Sequence, residues 1–147
     1  MKDVGAVFVL ILGLLVIVGL FASYPALQQG QAVGSRGEVK VLGVSVWQDL
    51  NLTTPLTVID WGMLEPSENK TVSCYLRNEG NVPSLLTVYT ENWQPVNASN
   101  WISLSWNLEG VNIEVAEALK TDLTLTVSPD IKNIFSFSFD IVISGSG

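Results

Sequence analysis

The chain has 147 residues, 48% hydrophobic and only 14% charged, with a formal net charge of −7. That length allows one domain and a small extra element. It has no histidine and a single cysteine, Cys74, which excludes an intramolecular disulfide, a Cys/His zinc centre, a Ser-His-Asp triad, a Cys-His dyad and a histidine general base.

The first element is VGAVFVLILGLLVIVGLFA, residues 4–22, with no charged and no strongly polar side chain. As a helix it would span roughly 28 Å, about the thickness of a bilayer's hydrocarbon core. A globular core helix of that length would carry a polar stripe. The sequence therefore predicts a hydrophobic α-helix over about 4–29 that lies in lipid or in the core of an assembly. Val7, Leu10, Ile11, Leu14, Leu15, Val18 and Phe21 are its candidate assembly or membrane residues, and Gly5, Gly13 and Gly19 would permit close helix approach. The competing reading is a cleaved secretory signal. Against it, Lys2 is offset by Asp3, the apolar run is long, and the small-x-small triplet Gly30-Gln31-Ala32 is distant.

Residues 23–37, SYPALQQGQAVGSRG, read as a joint, because Pro25 ends or kinks a helix and Gly30, Gly34 and Gly37 discourage its continuation. The domains are then 1–37, helix plus joint, and 38–147. The second part carries thirteen acidic against five basic residues. That balance speaks against nucleic-acid binding, which needs clustered Lys and Arg, and against docking on anionic lipid.

From Glu38 onward the period changes to two. In WISLSWNL, residues 101–108, Ile102, Leu104, Trp106 and Leu108 alternate with Ser103, Ser105 and Asn107. DLTLTV and IFSFSFDIVIS repeat the pattern. Alternation with one polar face marks strands covered on one side. The predicted strands are 38–47, 56–61, 70–77, 84–91, 101–108, 111–115, 121–128 and 134–144. Short strands separated by Gly, Pro, Asn and Asp clusters, with no helix able to cover a parallel sheet, predict an antiparallel sandwich. In CYLRNEGNVPSLLTVY a single turn over Asn78-Glu79-Gly80-Asn81 accounts for the sequence. Gly80 can take a positive φ, and Asn78 or Asn81 can bond its own backbone. The arms then pair as a hairpin or cross between sheets. FSFSFDIVI is either an edge strand open to pairing or central.

Three Asn-x-Ser/Thr sequons start at Asn51, Asn69 and Asn97, all in predicted turns, and are candidate N-glycosylation sites. Trp106 reads as core and Trp61 as a plug at one end of the sandwich. Trp93 and Trp101 bracket the loop QPVNASN. They either close it over the core or present aromatic faces to a glycan or a protein. Pairs such as Glu114 and Glu117, Asp49 and Asp60, or Asp122 and Asp130 match glycosidase carboxylates in residue type only, and nothing sets any two at a working separation. No calcium loop or phosphate-cradling glycine loop is recognisable. The reading is of no enzyme, no cofactor and no metal.

LRNEGNVPSLLTV, with IDWGMLEPSENKTV before it and SPD and FSFDIVI after it, resembles CARDB-like and alpha-galactosidase-associated Ig-like surface domains over residues 55–144. That resemblance implies an Ig-like sandwich of seven or eight strands acting as an accessory module. An uncharged helix leading into a small β-sandwich resembles the layout of archaeal type IV pilins and archaellins. FASYPALQQ is similar to the proline-containing end of the bacterial pilin helix, although the basic leader and the early Glu are absent. This second resemblance implies a subunit of a surface filament, its helices first in the membrane and then in a filament core, with self as partner. The alternative is a membrane-tethered monomeric module that binds glycans or cell-surface proteins through Trp93 and Trp101.

Overall fold

The computed structural model describes residues 33–147. Among the described residues nine strands follow one another: β1 Val33–Leu42, β2 Val44–Trp47, β3 Val58–Leu64, β4 Asn69–Asn78, β5 Ser84–Gln94, β6 Ile102–Trp106, β7 Asn112–Ile113, β8 Ala118–Val127 and β9 Ser136–Ser146. One sheet has the order β3-β1-β9-β5-β7, the other β2-β4-β8-β6. They face each other across an apolar core that includes Trp61, Leu64, Leu76, Leu86, Leu123, Phe139 and Ile141. The alternation seen in the sequence is the cause: inward-pointing Leu123, Leu125 and Val127 of β8 are buried, while Thr124 and Thr126 between them reach solvent.

Three expectations are corrected. The first is the architecture. A long α-helix ahead of the sandwich is not among the described elements, which are β throughout apart from a five-residue 3-10 turn at Val96–Asn100. The period of two from Val33 onward suits strands and gives no helix a continuous apolar stripe. Residues 4–29, with Val7, Leu10, Ile11, Leu14, Leu15, Val18 and Phe21, lie outside the described residues. Among the described residues no helix is long and apolar enough to cross a membrane.

The second correction concerns the joint and the first strand. Residues 33–37, assigned to the joint, form the first half of β1, where Val33, Ser35 and Val39 point inward. The single strand expected over 38–47 divides at Gly43, with φ of +75°. A Cβ there would lie 2.6 Å from the Gly145 carbonyl oxygen, so only glycine turns the chain from one sheet into the other at this point.

The third correction is to strand direction. β1 runs parallel to β9, from Gly34 opposite Ser136 to Leu42 opposite Ser144. The other ladders between named strands are antiparallel. A parallel pair needs a connection that crosses the fold, and here almost the whole sandwich supplies it. The long C-terminal strand β9 is central, flanked by β1 and β5.

The stretch 74–93 proves to be a crossing between sheets. Its first arm is in β4 of one sheet and its second in β5 of the other. Gly80 does not take a positive φ; the left-handed glycines among the described residues are Gly43, Gly62 and Gly110. The turn is held by Asn78, which is 1% exposed. Its Oδ1 accepts from the Gly80 N–H at 2.8 Å, and its Nδ2 donates to the carbonyls of Val82 at 2.8 Å and Ile113 at 3.2 Å. One buried amide thus satisfies backbone groups on both sides of the crossing.

Candidate functional site

Trp93 and Trp101, the residues singled out for binding, sit near one end of the sandwich and are both half-buried against the core. A bulge in β5 between Glu91 and Gln94, with Asn92 at φ +54°, turns Trp93 inward. Its ring stacks on Phe139 with centroids 4.2 Å apart and planes 8° from parallel, and lies 6.1 Å from Phe137. The indole Nε1 donates to Thr90 Oγ1 at 3.1 Å. One face and the polar tip of Trp93 are therefore already engaged. Trp101 closes the 3-10 turn, its N–H donating to the Ala98 carbonyl at 3.0 Å.

Beside Trp101 is a surface groove of about 230 Å³, lined by Ser99, Asn100, Ser103, Thr126 and Ser128 as well as the tryptophan and Ile102. An aromatic edge among hydroxyls and one amide suits a polar, uncharged ligand. Among the described residues none that lines this groove is titratable.

A second groove, about 220 Å³, lies on the outer surface of the five-stranded sheet, lined by Arg36, Glu38, Asn92, Ser138, Phe139 and Asp140. Asp140 is its anchor, with a side chain only 13% exposed. It accepts from Asn92 Nδ2 at 2.6 Å and from Lys40 Nζ at 2.5 Å, and Lys40 also reaches Glu91 at 3.4 Å. The Asn92 and Lys40 bonds hold the Asp140 carboxyl below its ordinary range, and the Asp140 bond raises Lys40 above its own. Both shifts favour the charged forms, so the cluster acts as an ionic clamp between β1, β9 and β5. The sequence could show that Lys40 and Asp140 face outward. It could not show that they meet, because that depends on the parallel β1–β9 register.

Of the carboxylates paired in the sequence reading, Asp49, Asp60, Glu117 and Asp122 are tied into backbone turns or a neighbouring strand. Asp49 accepts from the N–H groups of Thr53 and Thr54, and Asp60 from Gly62. Glu117 accepts from the N–H of Glu114, and Asp122 from Ser73 Oγ. Among the described residues no three His, Cys, Asp or Glu side chains gather as a metal centre.

Asn51, Asn69 and Asn97 are all exposed. Asn51 is in a turn, Asn69 opens β4 rather than lying in a turn, and Asn97 is in the 3-10 turn. Cys74 is buried in β4. Desolvation, with a smaller contribution from the Asp122 charge, pushes its thiol up to about 12, which makes it a poor nucleophile. No protein-family model and no curated protein matches the chain.

Proposed function

We propose that this chain is a non-enzymatic structural subunit of the cell surface, which assembles through its apolar run while the acidic sandwich forms the outer coat. The observation that carries the reading is the uncharged run 4–22, set just ahead of a fully packed β head whose residues 38–147 are strongly acidic. Residues 23–32 separate the run from β1. Fully extended they reach at most ~35 Å, so the run stays close to its own head.

The run has nowhere to go in water. Burying each Leu, Ile, Val or Phe side chain yields about 1.5–3 kcal/mol, and the run has many of them. It first sits in the membrane and then packs against the runs of other copies in a filament. The negative heads keep that filament soluble and repel nucleic acid. The functional part of the head is its surface, with glycans at Asn51, Asn69 and Asn97 extending the coat.

The groove beside Trp101 supports a second reading, a tethered monomer that binds a glycan or a surface protein. Shearing expressing cells and imaging the released material separates the two. Uniform filaments that vanish with Leu14→Asp, in a head with unchanged circular dichroism, bear out assembly. Filaments that survive Leu14→Asp, or a chain that remains monomeric in detergent extracts, reject it.

A further inference from the structure

We infer that β1 is an exchangeable strand, and that the slot between β3 and β9 takes β1 from a second copy of this chain. The inference deepens the assembly reading above and rests on it for its consequence, the linking of one head to the next.

The first ground is the joint. Gly43 alone separates β1 from β2, and these two strands belong to opposite sheets. The reversal depends on one residue at φ +75° with a carbonyl pressed against the space of its missing side chain. Short hinges under such constraint invite domain swapping. If Gly43 becomes extended, β1 and β2 run on as one strand that leaves its own slot and reaches a neighbour's.

The second ground is how β1 is seated. Of its inward residues Val33 and Val39 pack in the core, while Ser35 and Gly37 between them bring little side chain to it. Between the two valines it is held mainly by backbone hydrogen bonding to β3 on one side and β9 on the other, with Lys40 clamped to Asp140 and Glu91 on the outer face. Glycine-rich strands with weak inward packing are the ones whose pairing is least committed to a single partner. Among the described residues β3 joins its sheet only through β1, so an emptied slot is filled rather than tolerated.

The third ground identifies the occupant. A Cβ at Gly37 would lie 3.1 Å from Ile141 Cδ1 and 3.2 Å from Trp61 Nε1, so the slot is shaped for a glycine at that register and a larger residue must push those side chains aside. Three positions on, Asp140 and Glu91 require a cation, supplied by Lys40. Gly37 and Lys40 satisfy both at once. A second copy carries the same strand and remakes the same ladders, which is why swapping between identical chains is a low-cost route to association.

The test uses two differently tagged full-length chains, one with Arg36→Cys and the other with Ser138→Cys. These positions face each other in the β1–β9 ladder. Co-produced and oxidised, they are expected to give an interchain disulfide at least about tenfold above either chain alone. Inserting Gly-Ser-Gly after Gly43 lets β1 fold back on its own chain and lowers that yield about fivefold. If a chain with both cysteines closes an internal disulfide and the mixed pair gives no interchain one, β1 is seated in its own chain and the inference is overturned. Leu14→Asp in both chains separates the two proposals. A cross-link that persists while the filaments vanish keeps both strand exchange and assembly through the run. A cross-link with filaments that survive Leu14→Asp keeps strand exchange and rejects assembly through the run, and filaments that vanish in chains giving no cross-link do the reverse.

Discussion

Trp93 lies flat on Phe139, ring over ring at 4.2 Å. A residue that reads from the sequence as a candidate contact for a ligand is thereby part of the wall between the sheets. Trp93→Ala would remove this stack and open the end of the core. The half-buried site puts the loss at about 2 kcal/mol, below the range for a fully buried tryptophan. A urea titration followed by the remaining tryptophan fluorescence measures it. In the tethered-module reading, ligand contact then rests on Trp101, and Trp101→Ala is the variant that weakens binding with a smaller shift in midpoint.

Asn78 is a separate point of failure. Asn78→Ala leaves the N–H of Gly80 and the carbonyls of Val82 and Ile113 without their partner. The expected cost is about 2–3 kcal/mol, because buried groups lose hydrogen bonds and gain no water. Asn78→Asp keeps the bond to Gly80 but sets an oxygen against two carbonyls, so it is expected to destabilise as well. Equal midpoints for Asn78→Ala and the parent chain in denaturant would remove this amide from the account of the turn.

The clamp on β1 sets a pH window. Bonds from Asn92 and Lys40 hold the Asp140 carboxyl below its ordinary 3.8. A depressed carboxyl contributes stability above its unfolded value and loses it as pH falls through the folded one. Lys40 is raised above 10.5 chiefly by its bond to Asp140. It contributes below that value and loses its contribution as pH rises through the folded one. The clamp is therefore complete from about pH 4 to about pH 10 and weakens on either side. Thermal melts of the parent and Asp140→Asn should converge as pH falls from about 4 to about 2. A constant gap between them would count against the clamp.

Cys74 offers a probe of opening. With its thiol pushed up to about 12, the thiolate fraction at about pH 8 is roughly a thousandfold below that of a free cysteine. Labelling by an alkylating reagent should be correspondingly slow in the folded chain and rapid in denaturant. Fast labelling of the folded chain would mean that β4 is accessible without global unfolding.

Local pattern alone establishes a β protein from Glu38 onward, most of its strands, and which side of each is wet. The period of two in ISLSW, DLTLTV and FSFSFDIVI specifies inside and outside locally, because burying one face of a strand needs nothing but alternation. Composition likewise settles what chemistry is closed to a chain without histidine and with one cysteine. The sandwich of two sheets, the buried Trp61 and the central position of β9 follow in the structure. Other features emerge only when the strands are assembled: β1 begins at Val33, turns at Gly43 and lies parallel to β9, Trp93 faces inward, and Lys40 meets Asp140. Each of these depends on which strand lies beside which, and Lys40 and Asp140 are 100 residues apart in the chain. Alternation is a property of one strand, whereas pairing is a property of two. The choice of neighbour is made by register, glycine-sized gaps and charge partners that no local pattern records.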